Sequence, residues 1–218
     1  MFSKLTLHNP AFISSLSQAI QSSLCDQKPT LVAIDGPGCS GKSTLADNLF
    51  THFTDIEIIR IDSFFLPITE QKELRANENL FQSIPHIRWT ELEKCLRLLA
   101  SGKDALHLPY LWDEDRLDDK AVIIHPRKVI IVEGLYALHT RLRDVYNFKI
   151  WIDTQFDNRM EQVEIRDGTR FLSLWNKQYV PREIKYIKTQ KPYDVANVFV
   201  LGLNLDWSCV GKGFARKF

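Results

Sequence analysis

One stretch constrains this chain more than any other, LVAIDGPGCSGKSTLADNLF at residues 31–50. TLVAID (30–35) is a short apolar, β-branched run, and GKSTLADNLFTHF after it spaces its apolar residues as a helix does, so the order is strand, glycine loop, helix. Gly36, Gly41, Lys42 and Ser43 complete the pattern GxxxxGK[ST] inside that loop. The spacing has a physical cause: small residues let successive backbone N–H groups turn inward around a phosphate, and the helix adds its positive N-terminal end. The loop Gly36, Pro37, Gly38, Cys39, Ser40, Gly41, Lys42, Ser43 and Thr44 is therefore expected to hold a nucleoside triphosphate, ATP first. Lys42 would reach the β- and γ-phosphates and the Ser43 hydroxyl would ligate Mg²⁺. A GTPase, an ATPase motor and a small-molecule kinase all fit this much.

The rest of the chain repeats the alternation. IEIIRID (56–62), KVIIVEG (128–134), FKIWID (148–153) and ANVFVL (196–201) are apolar on both faces, as buried parallel strands are. Helical spacing appears in residues 10–25, in WTELEKCLRLLASG, in LYALHTRLRDVY, in TQFDNRMEQVEIRDG and over 172–190. Alternating strand and helix predicts an α/β fold, a mainly parallel five-stranded sheet with helices on both faces. One domain over 1–218 is expected, with an N-terminal helix in 1–28, acceptor-binding insertions within 63–127 and a tail at 203–218. The polar, irregular stretches 63–88 and 108–127 are long for a compact domain, which marks them as functional. Lys212, Arg216 and Lys217 in the tail read as a solvated end.

Composition narrows the class. With 28 Lys and Arg against 27 Asp and Glu, the formal net charge is +1, so an anionic ligand needs a local site and no nucleic-acid partner is expected. Cys25, Cys39, Cys95 and Cys209 lie far apart with no CxxC pair, which favours neither zinc nor a disulfide framework. No run of about 18 apolar residues occurs, and MFSKLTLHNPAFISSL carries no signal-type apolar segment. A cytoplasmic protein without a membrane span is expected.

Two strand-end carboxylates suggest the chemistry. Asp62 closes the second strand in IIRIDSFF, and ligands of open α/β sheets bind outside the carboxyl ends of strands. There it can orient or deprotonate an acceptor hydroxyl and touch a metal's water shell. Glu133 ends KVIIVEG, where a metal-supporting carboxylate belongs. The plainer readings are a turn aspartate and a helix-capping glutamate.

At this point the chain resembles the uridine kinase and phosphoribulokinase group of P-loop kinases. The resemblance rests on GPGCSGKST, IDSFF (like that family's Asp-Ser-Phe-Tyr), SGK, LPY, VIIVEG, FKIWIDT, RMEQVEIRDG and KPYDVANVFV, in order across residues 30–201. It implies a P-loop NTPase-type three-layer sandwich with a small helical lid. It also implies ATP- and Mg²⁺-dependent phosphorylation of a small-molecule hydroxyl, in this family often the 5′-hydroxyl of a ribonucleoside. By position, the resemblance makes Asp62 the general base, Lys42 the phosphate clamp, and Ser43 with Glu133 the Mg²⁺ supports, Asp62 standing near the metal. Arg166 and Arg170 would belong to a lid near 166–176 that closes over ATP, and Arg159 lies two helical turns before Arg166 on nearly the same face. Arginines in a lid would stabilise the transferring phosphoryl while closure expels water; their plainer role is ion pairing with Glu161, Glu164 or Asp167.

The chain also departs from that family. Uridine kinases carry an Asp-His-Pro element and a further Asp that hold the ribose hydroxyls; the matching stretch here reads QSIPHIRW, keeping Pro85 and Trp89 but no aspartate. His86 or Arg88 would substitute as acceptor ligands, and an arginine suits an anionic acceptor. Tyr110, Trp112 and Asp113 in LPYLWDEDR sit where the family turns an aromatic, polar hairpin to the base. LWNKQYVPREIKYI resembles the W…E…YI helix of uncharacterised bacterial members. Other readings are a pantothenate-type acceptor, a nucleoside monophosphate kinase (the loop is similar to that of cytidylate kinases), and a non-catalytic nucleotide switch. Guanine recognition through NKxD is not expected, since NKQY (176–179) lacks the Asp. The expected partner is a small-molecule acceptor, with self-association left open.

Overall fold

The computed structural model describes residues 5–6, 10–24, 27–75, 84, 86–203 and 206–211. Its strands are β1 (Leu5–Thr6), β2 (Thr30–Asp35), β3 (Ile56–Arg60), β4 (Ala105–His107), β5 (Tyr110–Leu111), β6 (Arg116–Leu117), β7 (Val122–Ile124), β8 (Val129–Glu133), β9 (Phe148–Thr154), β10 (Val198–Leu203) and β11 (Asp206–Gly211). The helices are α1 (Pro10–Gln21), α2 (Lys42–Phe50), α3 (Ile68–Arg75), α4 (Trp89–Ala100), α5 (Phe156–Asp167), α6 (Leu172–Leu174) and α7 (Val180–Gln190), and a π-helical turn, Trp175–Tyr179, joins the last two.

The main sheet runs β1-β11-β10-β9-β2-β8-β3. Its five strands from β10 to β3 are parallel, as the apolar runs predict. β2 and β8 are buried at every position, which only a strand covered on both faces tolerates. Alternation along β2 sorts the two layers: Val32 and Ile34 pack with Phe12, Leu16, Leu45 and Leu49 of α1 and α2. Leu31 and Ala33 face the other way, toward Leu92, Leu96 and Leu99 of α4 and toward Tyr186 of α7. Each fully buried aliphatic side chain contributes about 1.5–3 kcal/mol, so this double-sided packing dominates the stability of the fold.

Three expectations change. The stretch 135–146, read as a helix, winds instead through tight turns, with i to i−3 bonds such as His139 N–H to Tyr136 O (2.9 Å) and Leu142 N–H to His139 O (2.8 Å). Its apolar residues Tyr136, Ala137, Leu138 and Leu142 are buried as a helix face would be, but Tyr136 takes φ 80°, a left-handed conformation no helix continues through. The irregular stretch 63–88 contains α3, and 108–127 supplies small antiparallel strands, β5 paired with β6 and β7 paired with the preceding β4. Finally, β11 pairs antiparallel with β10 and β1 with β11, so part of the expected tail extends the sheet. Lys212, Arg216 and Lys217 lie outside the described residues. Among the described residues no helix is long and apolar enough to cross a membrane.

Candidate active site

Because the five central strands are parallel, their carboxyl ends share one edge, and the register sets Ile34 beside Glu133 and Arg60 beside Glu133. The glycine loop leaves β2 at the middle of that edge. Gly41 takes φ 95° and Cys39 φ 56°, left-handed values that turn the loop's amides inward before α2 begins at Lys42. Gly36 admits no side chain, because a Cβ would collide with the Ile152 carbonyl of β9. The buried Lys42 folds back so that its ammonium donates to the Pro37 carbonyl at 2.8 Å. The buried Ser40 hydroxyl has no partner among the described residues, and Thr154 donates to the Ser40 carbonyl at 3.2 Å. Thr44 is exposed in the first turn of α2.

Beside the loop, the Ser43 hydroxyl donates to Glu133 Oε1 at 3.0 Å, and Arg60 donates to the same oxygen at 3.0 Å while reaching Asp47 at 2.8 Å. Asp62 follows β3 in a 3-10 turn, Ile61–Phe64, whose shape is held by the Ser63 hydroxyl on the Arg60 carbonyl. It keeps a solvent-exposed surface yet is crowded by its neighbours. That crowding raises its carboxyl above the usual range, helped by the Glu133 charge and opposed by Lys42, Arg166 and Arg60; its open side screens the effect. Gly134 cannot carry a side chain either, since a Cβ would lie 2.8 Å from that of Ile61. The backbones of β8 and the Asp62 turn are thereby brought into contact.

Next to the Asp62 turn, Phe65 gathers the aromatic residues. Its ring lies 5.2 Å from Trp112, 6.4 Å from Tyr110 and 5.0 Å from His86, and His86 in turn meets Tyr136 at 5.6 Å. Tyr110 is buried, with its hydroxyl on Asp115 at 2.7 Å, whereas Trp112 is 55% exposed and offers a free face. Arg88, expected to meet an anionic acceptor, does otherwise. Its guanidinium donates to the carbonyls of Phe65, Ser63 and Leu108 and pairs with Glu91, so it braces the Asp62 turn against the β4–β5 connection and has little capacity left for a ligand.

Arg166 forms a two-pronged pair with Asp167 (2.7 and 2.9 Å) and stacks on Trp175 at 5.7 Å, near enough to Asp62 for their charges to interact. Arg170 stacks on Phe171. Sequence reasoning passed over Asp35 and left Glu183 without a role; both are buried and both bind the loop's backbone. Strand parity was a usable signal for Asp35, which follows Leu31 and Ala33 on the α4 face.

The model of the phosphoribulokinase/uridine kinase family matches residues 31–198. Uridine-cytidine kinase B of Dictyostelium discoideum is 31% identical over 143 residues, covering 64% of this chain and 58% of that protein. The uridine kinase of Saccharomyces cerevisiae is 28% identical over 173 residues, covering 73% of this chain. This chain thus spans little more than half of the first relative and 34% of the second. The fold is also that of "a possible uridine kinase" from Bacillus stearothermophilus (TM-score 0.63, 18% identity, 86% of this chain and 96% of that one). A loop, a strand-end carboxylate and a hydroxyl–carboxylate pair converge at one sheet edge, and the family match runs through all of them: the chain belongs to the phosphoribulokinase/uridine kinase family.

Proposed function

We propose that this chain transfers the γ-phosphoryl group of ATP to a hydroxyl of a small molecule, a nucleoside first among the acceptors. The observation that carries the reading is Asp62, held at the same sheet edge as Lys42 and Ser43 with a raised proton affinity. The Asp62 carboxylate takes the proton of the acceptor hydroxyl as that oxygen attacks, and its raised proton affinity suits a base. Lys42 exchanges the Pro37 carbonyl for phosphate oxygens, and the amides of residues 39–43 surround them. Arg166, released from Asp167, neutralises charge on the transferring group from the 166–176 side, which we read as a lid.

The residues fit a divalent cation. Ser43 Oγ and Glu133 Oε1 form a hard oxygen pair at 3.0 Å, and the orphaned Ser40 hydroxyl lines the phosphate cradle. Ser43 and Glu133 would hold Mg²⁺, which would supply charge neutralisation of phosphate oxygens. Among the described residues no cluster of three or more His, Cys, Asp or Glu would hold a metal alone. The described residues around Phe65 and Trp112 make the acceptor side: the exposed Trp112 face beside Phe65 suits a flat group such as a nucleobase, while the engagement of Arg88 speaks against an anionic acceptor.

The test is ADP release from Mg-ATP against uridine, cytidine, other nucleosides, pantothenate and nucleoside monophosphates, with Asp62→Asn as control. Acceptor-dependent turnover that Asp62→Asn lowers by about 10²–10⁴-fold, with ATP affinity kept, is the expected result. A wild type that binds ATP and phosphorylates none of these acceptors defeats the nucleoside reading. Full turnover in Asp62→Asn defeats the base assignment.

A further inference from the structure

Two buried carboxylates accept backbone N–H groups of the phosphate loop, and phosphoryl transfer as proposed leaves both without a role. Asp35 accepts Gly36 N–H (2.6 Å) and Tyr136 N–H (3.1 Å) on Oδ1, and Leu138 N–H (2.8 Å) and the Tyr186 hydroxyl (2.6 Å) on Oδ2. Glu183, 1% exposed, accepts Gly38 N–H at 2.7 Å on Oε1 and pairs through Oε2 with Arg159. Arg159 Nε in turn donates to the Gly38 carbonyl at 2.8 Å, so both polar atoms of that one peptide residue are held. The Trp175 ring closes over Gly38, where an added Cβ would lie 2.5 Å from it. Trp175, Glu183 and Tyr186 belong to one helical run, 172–190, and are the W, E and Y of the sequence pattern W…E…YI.

A loop built of glycine and other small residues has no shape of its own, and an anion that must order it binds more weakly than one that finds it ordered. Fastening Gly36 and Gly38 to a helix removes that ordering step. We propose that Glu183 and Tyr186 are positioning residues for the phosphate loop: from α7 they fix the peptides of Gly38 and, through Asp35, of Gly36, so the loop's anion affinity depends on how the 172–190 run is seated. The proposal rests on the reading of residues 36–43 as the nucleotide site.

The test is titration calorimetry of the full chain with inorganic pyrophosphate and with ADP, for wild type, Glu183→Ala, Glu183→Gln and Tyr186→Phe, beside the melting temperature of each protein without ligand. Glu183→Ala and Tyr186→Phe should weaken pyrophosphate binding on the order of tenfold. Glu183→Gln should recover most of the loss, because its Oε1 still accepts Gly38 N–H. Unchanged affinity with a lowered melting temperature overturns the proposal, since the contacts are then structural only. Tighter binding by either Glu183 variant also overturns it, because the carboxylate would then be competing with phosphate for Gly38. If Glu183→Ala fails to fold around an unpaired Arg159, Tyr186→Phe decides, as it removes one hydroxyl and keeps the ring. A wild type that binds neither anion removes the nucleotide-site reading and this proposal together; wild-type binding with unaltered variants removes this proposal alone.

Discussion

Gly38→Ala tests how tightly the helical run 172–190 is seated on the glycine loop. Gly38 is not one of the glycines with positive φ, so alanine costs nothing in backbone conformation and the penalty is steric. The new methyl would stand 2.5 Å from two carbons of the Trp175 ring and 2.7 Å from Glu183 Oε1. Trp175 is buried and held by its indole N–H on Asp167 at 2.9 Å, so it has little room to retreat. Overpacking of this kind costs about 1–3 kcal/mol. Displacing Glu183 also breaks its bond to Gly38 N–H, and a bond to a charged acceptor is worth about 1.5–3 kcal/mol. Together these give about 3–5 kcal/mol, a fall in melting temperature of roughly 10 °C for a chain of this length. Gly102→Ala is the control: its φ of 78° carries left-handed strain of about 1–2 kcal/mol, but nothing lies within 4 Å of the new methyl. In urea unfolding, Gly38→Ala should lose clearly more than Gly102→Ala. Adding Trp175→Phe, which removes the two ring carbons concerned, should recover at least about 1 kcal/mol relative to the sum of the single changes. A Gly38→Ala protein no less stable than the Gly102→Ala control, or strict additivity in the double variant, would refute the seating described here.

Arg88→Met should behave as a structural lesion. It takes the donor from three carbonyls and the cation from Glu91 Oε2, costs about 3–5 kcal/mol in urea unfolding, and lowers turnover without a rise in KM confined to anionic acceptors. Two buried groups should oppose one another in the pH dependence of stability. Burial lifts the Asp35 carboxyl from 3.8 to about 6, so the folded state binds the extra proton and stability from this group falls as pH rises from about 4 to 6. Burial pushes the His139 imidazole from 6.5 down to about 4, so the unfolded state binds the extra proton and stability from this group rises across nearly the same window. Relative to wild type, urea unfolding of Asp35→Asn should rise more steeply with pH between about 4 and 6, and that of His139→Gln should fall, each by roughly 3 kcal/mol over the window. The same slope in both variants would contradict the burial of one of these groups.

What could be read in the sequence and what could not divide by range. The strand, loop and helix of residues 30–50 are local chemistry, glycines where amides must converge and β-branched residues where the chain is covered on both faces, and they form as expected. The turn at 135–146 misled because burial at helical spacing is a property of side chains, whereas the choice between helix and successive tight turns was made by a backbone donor pair. Tyr136 and Leu138 N–H both point at Asp35, more than a hundred residues earlier, and a helix from Leu135 would have turned the Leu138 amide to the carbonyl four residues back instead. Arg88 is a similar case, since a guanidinium looks like an anion ligand until three carbonyls from two distant segments are found around it. Asp35 lies between these cases. Parity in TLVAID turns it to the α4 face, where Leu31 and Ala33 are buried, so a carboxylate in a dry layer was foreseeable, and such a group must collect donors. Which donors it collects depends on where β8 and α7 return to the sheet, and no periodicity in residues 30–35 carries that information. Glu183 and Tyr186, which bond Gly38 and Asp35 beside the glycine loop, therefore escape a motif search: they lie 145 and 151 positions from those two residues.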